Sequence, residues 1–323
     1  MPCTIEAHTT TGVFGLLKEV SSGYSKSYVL VTERAMFGLL NLNKPAGVTS
    51  RQVVDVVERL VRPARAGHAG TLDPLATGVL LVCVGQATRL IEYLHRLPKT
   101  YVGTFLLGRS SPTEDIDGPV TELPDARVPE LAEIEQAARK LVGRIQQRPP
   151  AYSALRVGGR RAYQLARKGH QPDLAPREVE VYRMDVRSYA YPELTLEIQC
   201  SGGTYVRSLG RDLAEALGTS AVMSALVRTA VGQFRIEEAV PPERLNADTI
   251  SQHLLPAASA VAMLPQVELT DDEIARLRNG LAIAKPSAPQ GEEIAGLDAQ
   301  GRLVALLTAA APGVVRPLRN FAY

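Results

Sequence analysis

GHAGTLDPLATG, residues 67–78, places a single carboxylate, Asp73, in a loop built from glycines and a proline. The glycines allow unusual backbone angles, while Pro74 fixes its own φ and favours an extended Asp73. The apolar run VLLVCV that follows, residues 79–84, is typical of a buried strand. An acid beside a buried strand suggests a nucleophile or a base, although Asp-Pro is also a common turn opener.

The composition indicates one large domain and a small one, because the chain has 323 residues of which 45% are hydrophobic. The net charge is only +2, but it is unevenly distributed. Residues 36–100 carry +4 and residues 144–235 carry +6, whereas residues 101–143 and 236–323 each carry −4. The two basic segments suit a phosphate backbone lying across one face. Linear segments need not share a surface, so separate solvated charges remain an alternative.

The three cysteines, Cys3, Cys83 and Cys200, are far apart in the sequence. They indicate neither a disulfide framework nor a zinc site, and they fit a reducing cytoplasm. No apolar run approaches about 18 residues, and the N-terminus lacks the layout of a secretory signal. We therefore expect a cytoplasmic protein with no metal site and no membrane span.

The chain divides into three segments. Residues 1–35 are polar and show no helical or strand periodicity, so we expect a disordered extension, or a functional start at Met36. The motifs lie in a domain over residues 36–262. Residues 263–323 form a second domain, in which a helix at 271–279 precedes short apolar runs joined by Gly and Pro turns.

Local patterns around the Asp73 loop predict helices and strands. Residues 38–50, GLLNLNKPAGVTS, predict a strand, a turn carrying Lys44, and a helix over 51–62 capped by Thr49 or Ser50. The acidic stretch SPTEDIDG, residues 111–118, is interpreted as a solvated loop. Further helices are predicted over residues 88–97, 129–146, 205–217 and 244–255, and further strands over residues 100–108 and 194–200.

Several of these stretches resemble one known family. GHAGTLDPLATG resembles the catalytic-aspartate motif of the tRNA pseudouridine-55 synthases, the TruB family, and KPAGVTS resembles its KPxGxTS motif. RPPAYSALRVGGRRAYQLARKG, residues 148–169, is similar to PPxYSAxKxxGxRxYxxAR, with Arg156 in place of the usual Lys.

Two further stretches extend the resemblance to about residue 229. SGGTYVRSLGRDLAEALG, residues 201–218, is similar to CSxGTYIRSLxRDLG. ALVRT, residues 225–229, is similar to LRRT, with Val227 in place of the first Arg. A phosphate contact from that missing Arg is therefore in doubt.

The resemblance implies an α/β (α+β) pseudouridine synthase fold with a mixed, largely antiparallel sheet and flanking helices. A small C-terminal β-rich, PUA-like RNA-binding domain would follow. The implied activity is isomerisation of uridine 55 in the T loop of tRNA, with the T stem-loop as partner. No cofactor and no obligate protein partner are implied, and we expect a monomer.

The resemblance also assigns site residues. Asp73 would be the nucleophile, with Tyr205 and Arg207 beside it. The implied substrate-binding residues are His68 as a wedge in the RNA, Tyr101 stacked on the base, Leu226 lining the uracil pocket, and Lys44, which either holds the loop or touches RNA. An exposed hairpin followed by a helix would contact RNA through Arg148, Tyr152, Arg156, Arg160, Arg161, Arg167 and Lys168.

The chemistry leaves several alternatives open. Converting uridine to pseudouridine needs no metal or nucleotide cofactor, and one carboxylate suffices. Asp73 should be ionised, which Arg207 would favour, and it attacks either carbon 1 of the ribose or the base. Tyr205 either receives a proton or packs against the uracil. A synthase acting on another RNA and an RNA-binding or folding-assistance protein are the rival hypotheses.

Overall fold

A computed structural model describes residues 15–22, 25–32, 36–153, 155–157, 159–166, 169, 174–289 and 292–322. For residues 15–22, 25–32, 156, 157, 160, 161 and 163, only the backbone is described. The helices are α1 Ser50–Leu60, α2 Ile91–Arg96, α3 Leu131–Lys140, α4 Ala162–Ala166, α5 Val206–Ala216 and α6 Asp271–Arg278. Short 3-10 helices lie at Gly85–Leu90, Ile236–Glu238, Pro242–Arg244, Ile250–His253 and Ala257–Val261.

The first fifteen strands belong to the N-terminal and central parts of the chain. They are β1 Gly15–Ser22, β2 Ser25–Thr32, β3 Gly38–Lys44, β4 Ala66–His68, β5 Thr77–Val84, β6 Lys99–Leu107, β7 Arg109–Ser110, β8 Thr121–Glu122, β9 Gly143–Gln147, β10 Arg156–Val157, β11 Arg160–Arg161, β12 Arg177–Ala190, β13 Glu193–Cys200, β14 Ala221–Val231 and β15 Phe234–Arg235. The C-terminal strands are β16 Gln266–Glu268, β17 Ile283–Ala284, β18 Ile294–Leu297, β19 Leu303–Ala311 and β20 Val314–Asn320.

The main sheet has the order β3-β5-β14-β6-β13-β12-β9, with β4 paired to β5 and β15 to β14. Strands β5 and β14 run parallel, and the other neighbours run antiparallel. The interior strand β5 is buried from Gly78 to Val84, as expected for an apolar run covered on both faces. These pairings confirm the predicted mixed, largely antiparallel sheet.

Helices cover this sheet through apolar faces. Helix α1 starts at the predicted cap, where Thr49 and Gln52 form a capping box, and it buries Val53, Val54 and Val57. Helix α5 packs near β6 so closely that a Cβ on Gly210 would meet the ring of Phe105 at 2.1 Å. None of the helices in the described ranges is both long and apolar enough to cross a membrane.

The C-terminal sheet has the order β16-β18-β19-β20-β17, which confirms a β-rich region after the catalytic motifs. Its strands share a hydrophobic cluster with the main sheet, in which Leu303, Leu306 and Phe321 join Leu39 and Tyr93. The rings of Phe37 and Phe321 stack with centroids 5.4 Å apart. The two sheets therefore bury apolar surface against each other.

Two predicted helices were wrong in part. The helix predicted over residues 129–146 ends at Lys140, and Ile145 lies on strand β9 instead. The change occurs at Gly143, whose φ of +108° does not continue a helix. Residues 244–255 form two short 3-10 segments, because the Asn246 side chain accepts from the backbone N–H groups of Asp248 and Thr249.

The N-terminal segment contains strands that the sequence analysis did not find. Strands β1 and β2 form an antiparallel hairpin that pairs Gly15 with Thr32 and Ser22 with Ser25. Residues 1–14, 23–24 and 33–35 lie outside the described ranges, so the expected disorder of the segment as a whole stays a prediction.

Candidate active site

The loop that carries Asp73 connects β4 to β5. Side chains of β3 and α1 bond to its backbone. Lys44 Nζ donates to the carbonyls of Pro74 at 3.2 Å and Ala76 at 2.6 Å. The Ser50 hydroxyl donates to Leu72 O at 3.1 Å and accepts from Leu72 N at 2.8 Å. These bonds fix the backbone on both sides of Asp73.

Lys44 has no exposed surface and also donates to the carbonyl of Pro45 at 2.9 Å. Burial lowers the pKa of its ammonium group to about 8, and the carboxylate of Asp73 opposes that shift. Of the two roles left open for Lys44, these contacts support holding the loop rather than touching RNA.

Arg228, on strand β14, also bonds to this loop. The sequence analysis did not identify it as a site residue. Its side chain is buried on β14, where Nε donates to Val79 O at 2.6 Å and Nη2 donates to Gly70 O at 3.1 Å. A Cβ on Gly78 would meet the carbonyl oxygen of Arg228 at 2.3 Å, so the close approach of β5 and β14 requires glycine there. Arg228 is the Arg that ALVRT retains.

Arg207, in the first turn of α5, lies between two carboxylates. Its Nε is 3.0 Å from Asp73 Oδ2, and its Nη1 is 3.1 Å from Asp115 Oδ2. Its Nη1 also donates to Thr113 O at 2.6 Å, and its Nη2 donates to Tyr152 O at 3.2 Å. With 6% of its side-chain surface exposed, Arg207 is locked in one orientation.

Asp73 keeps 37% of its side-chain surface exposed, so a substrate can reach the carboxylate. Desolvation by the surrounding protein raises the pKa of Asp73, Arg207 lowers it, and Asp115 raises it further. The pairing expected between Arg207 and Asp73 is present, but burial outweighs it in setting the direction of the pKa shift.

The prediction that the acidic stretch 111–118 is a solvated loop was wrong in part, because Asp117 is exposed whereas Glu114 and Asp115 are not. Asp115 is 3% exposed, and its Oδ1 accepts from the Thr113 hydroxyl at 2.6 Å. Glu114 has a φ of +62° and accepts from Ser208 Oγ at 2.7 Å and from Arg211 Nη1. The loop turns inward because α5 supplies two arginines and a serine hydroxyl that pair with its carboxylates.

Tyr101 and Leu226 lie on neighbouring strands beside the Asp73 loop. They are 8% and 6% exposed and share a hydrophobic cluster with Leu72 and Ala76, on either side of Asp73. Tyr101 is the backbone partner of Arg228 in the sheet. Burial raises the pKa of the Tyr101 phenol, and Arg228 opposes the shift.

Tyr205 occupies the N-cap position of α5, two residues before Arg207. Its backbone pairs with the side chain of Gln147, and the guanidinium of Arg177 lies over its ring, 4.7 Å from the centroid. The hydroxyl of the preceding residue, Thr204, donates to Ser201 O at 3.0 Å and does not cap the helix.

His68 lies on β4, opposite Val82, and not in a free loop. Its Nδ1 is buried and has no hydrogen-bond partner among the described residues. Burial lowers the pKa of His68, with Arg228 and His95 adding to the shift. Its proposed role as a wedge stays a prediction.

The expected RNA-contacting segment has the predicted hairpin followed by a helix. Arg156 pairs with Arg161 and Val157 with Arg160, and α4 follows. Arg148 is exposed, whereas the backbone of Tyr152 faces Arg207. The side chains of Arg156, Arg160 and Arg161, and all of Arg167 and Lys168, lie outside what the structure describes.

The residues that sequence reasoning missed are buried charges and their partners. Asp115 lay in a stretch that its acidity marked as solvated, and Arg228 lay in an otherwise apolar strand. No local signal marks Asp115, whose neighbour Ile116 is exposed, whereas Arg228 belongs to the ALVRT stretch that resembles the family. The assembled site offers one accessible carboxylate on a rigid loop, paired with one fixed arginine.

Comparison with known proteins identifies relatives of this chain. Residues 58–206 match the TruB family pseudouridylate synthase N-terminal domain. The tRNA pseudouridine synthase B of Xanthomonas campestris pv. campestris (strain B100) is 40% identical over 299 residues, which cover 90% of this chain and 96% of that protein. The synthase of the same name from Syntrophobacter fumaroxidans (strain DSM 10017 / MPOB) is 44% identical over 254 residues, covering 77% and 83%.

Solved structures with the same fold include a Cbf5-Nop10-Gar1 complex, which is 29% identical with a TM-score of 0.67 and covers 86% of this chain and 79% of that one. An H/ACA RNP bound to a substrate RNA containing 2′-deoxyuridine is 26% identical with the same TM-score, covering 88% and 84%. Together with the fold and the Asp73 loop, these similarities show that the chain belongs to the TruB family of pseudouridylate synthases.

Proposed function

We propose that this enzyme isomerises uridine 55 in the T loop of tRNA to pseudouridine, with Asp73 as the nucleophile. The observation that carries the proposal is the accessible carboxylate of Asp73, 3.0 Å from a buried arginine, on a loop whose backbone is fastened on both sides. Relatives that align over most of this chain are named tRNA pseudouridine synthase B, which supports tRNA as the substrate.

The reaction exchanges one bond to the ribose for another. The bond from nitrogen 1 of the uracil to carbon 1 of the sugar breaks, the base turns, and a bond from carbon 5 forms. The proton lost from carbon 5 is balanced by the one gained at nitrogen 1. Since nothing is oxidised and no group leaves, the reaction itself consumes no cofactor.

Asp73 acts in its ionised form, and attack at carbon 1 of the ribose or at the uracil ring both use the same carboxylate. Arg207 favours that form and orients the oxygen at 3.0 Å. Because Asp115 and the carbonyl of Thr113 fix the far side of the guanidinium, Arg207 stays aligned while Asp73 reacts.

The target base leaves its stack before it reaches Asp73, at a cost of a few kcal/mol. Tyr101 and Leu226 form the apolar wall that receives it, and Tyr205 closes the pocket from the start of α5. His68 fills the space left in the T loop. Stacking on an aromatic side chain contributes roughly 1 to 3 kcal/mol.

The RNA backbone lies across the basic stretch that begins at Arg148 and includes the hairpin Arg156–Arg161. The enzyme acts as a monomer in the cytoplasm, without an obligate protein partner. The likeness to H/ACA structures supports a second candidate, a synthase acting on another RNA, but the relatives named tRNA pseudouridine synthase B are more similar in sequence.

A T stem-loop transcript carrying uridine at position 55 tests the proposal. Wild type and the Asp117→Asn control, which alters an exposed carboxylate of the acidic loop, should both form pseudouridine at that position, detected by mass spectrometry. Asp73→Asn should bind the same RNA without product. Product from Asp73→Asn would refute the nucleophile, and wild type that binds every tRNA without product would favour an RNA-binding protein.

A further inference from the structure

Tyr205 is held by two residues that neighbour each other in the main sheet. Gln147 ends β9 and Arg177 begins β12, and the two are direct backbone partners. One contacts the backbone of Tyr205 and the other its ring. Neither belongs to the motifs that the sequence analysis assigned to catalysis.

Gln147 satisfies both backbone groups of Tyr205. Its Oε1 accepts from Tyr205 N at 2.8 Å, and its Nε2 donates to Tyr205 O at 3.0 Å. The side chain of Gln147 is fully buried, so water does not compete for these bonds. The amide therefore fixes the residue that starts α5, where the first backbone N–H groups have no partner within the helix.

Arg177 covers one face of the Tyr205 ring. Its guanidinium lies 4.7 Å from the ring centroid, and its Nη2 donates to the carbonyl of Gly203. Gly203 has a φ of +87°, and a Cβ there would stand 3.6 Å from Nη2, so the guanidinium fits between this turn and the ring. Among the described residues, no carboxylate pairs with Arg177, so its charge is left to the ring and the carbonyl.

We propose that Gln147 and Arg177 are positioning residues that set the orientation of the Tyr205 ring for the isomerisation. Arg177 blocks one face of the ring, so the uracil meets the opposite face or the edge. Gln147 fixes the backbone from which that ring and Arg207, two residues later, both project. This inference rests on the proposed function, because it assigns Tyr205 to the uracil pocket.

The test measures the single-turnover rate and the dissociation constant for the T stem-loop separately. Arg177→Met should lower the rate about tenfold while changing the dissociation constant less than about twofold, as expected for loss of a partly desolvated cation over an aromatic ring. Arg177→Lys should recover part of the rate, because it keeps the charge but not the planar stack. Arg183→Met, which changes an exposed arginine of the same strand, is the matched control and should match wild type.

A double-mutant cycle decides whether Arg177 acts through Tyr205. In a Tyr205→Leu background, Arg177→Met should cause no further loss of rate. Gln147→Met should also slow the reaction at unchanged RNA affinity, and circular dichroism checks that each variant is folded. An equal loss from Arg177→Met in both backgrounds would overturn the proposal.

A second outcome would also overturn it. If Arg177→Met weakens binding and reduces the salt dependence of affinity while the bound rate is unchanged, Arg177 contacts a phosphate instead. Failure of the proposed function is distinguishable, because wild type itself would then make no pseudouridine in the T stem-loop.

Discussion

The two loops that bring carboxylates to Arg207 are built on different principles. The Asp73 loop is fastened through its backbone, by the buried side chains of Lys44, Ser50 and Arg228. The acidic loop is held through its side chains as well as its backbone, since Asp115 and Glu114 pair with arginines of α5 while the backbone of Glu114 and Ile116 bonds to that of Met223. The first loop leaves the carboxylate of Asp73 accessible, whereas the second uses the carboxylates of Glu114 and Asp115 in ion pairs that hold the loop in place.

The difference explains why one arginine can serve both loops. A backbone-fastened loop can release its side chain to a substrate without losing its shape. A loop held by its carboxylates would lose its anchor if one of them reacted. This difference assigns the chemical step to Asp73 and a supporting role to Asp115, and four measurements test that assignment.

Removing the accessible charge should have the largest effect. Asp73→Asn is expected to lower the single-turnover rate by at least roughly 10⁴-fold, because the amide cannot act as the nucleophile. RNA affinity should stay near that of wild type. The neighbouring variant Asp117→Asn serves as the control, and comparable losses from both variants would contradict the assignment.

Removing the supporting charge should have the next largest effect. Asp115→Asn removes the second carboxylate from Arg207, so the far side of the guanidinium is held only by the carbonyls of Thr113 and Tyr152, and we expect a rate loss of about 10²-fold. Filter binding should show unchanged affinity for the T stem-loop. A loss as large as that of Asp73→Asn would mean that the two carboxylates share the chemical step.

The interactions that hold the two loops should differ in how much they stabilise the fold. Lys44→Met leaves the carbonyls of Pro74 and Ala76 without a donor and should lower the free energy of unfolding by about 1 to 3 kcal/mol. Glu114→Gln keeps an acceptor for Ser208 and should cost about 1 kcal/mol. Urea unfolding of both variants measures this order, and a reversed order would contradict backbone fastening of the Asp73 loop.

The smallest effect should be a shift in the acid limb of the pH dependence of the single-turnover rate. Because the pKa of Asp73 is raised above the ordinary value of 3.8, its carboxylate takes up a proton at a higher pH than an ordinary aspartate as acidity increases. Arg207→Met removes the cation that lowers this pKa and should move the midpoint to higher pH. Asp115→Asn removes an anion that raises it and should move the midpoint to lower pH.

Carbon-13 titration of the Asp73 carboxyl would measure both midpoints without relying on residual activity. Shifts in the same direction for the two variants would show that a change of burial, and not the lost charge, controls the carboxyl. The unchanged reference is Asp125→Asn, which alters an exposed carboxylate that is not among the charges shifting the Asp73 pKa.

The sequence was sufficient for the elements whose signal is local. The strand at β5, the capping box at Thr49 and the helix α6 each follow from apolar runs or from residues three positions apart. The pair of Asp73 and Arg207 came from the family resemblance and is present in the structure. These features depend on neighbours in the chain or on motifs that can be matched.

The sequence was insufficient where burial depends on distant partners. Asp115 is buried because Arg207 lies 92 positions later in the chain, which no local pattern in SPTEDIDG can indicate. Arg228 replaces apolar packing with hydrogen bonds to Gly70 and Val79. The helix predicted over 129–146 extended too far for a local reason, because the apolar spacing at Ile145 fits both a helix and a strand.

The stacked rings of Phe37 and Phe321 have a consequence for biosynthesis. The ribosome completes every catalytic motif, through residue 229, before it makes the C-terminal residues Leu303, Leu306 and Phe321. Until those residues emerge, the nascent chain displays the uncovered apolar side of Leu39 and Tyr93 to solvent. Maturation of this enzyme therefore finishes late in translation, and ribosome-bound chains halted before residue 294 should recruit chaperones that the full-length chain does not.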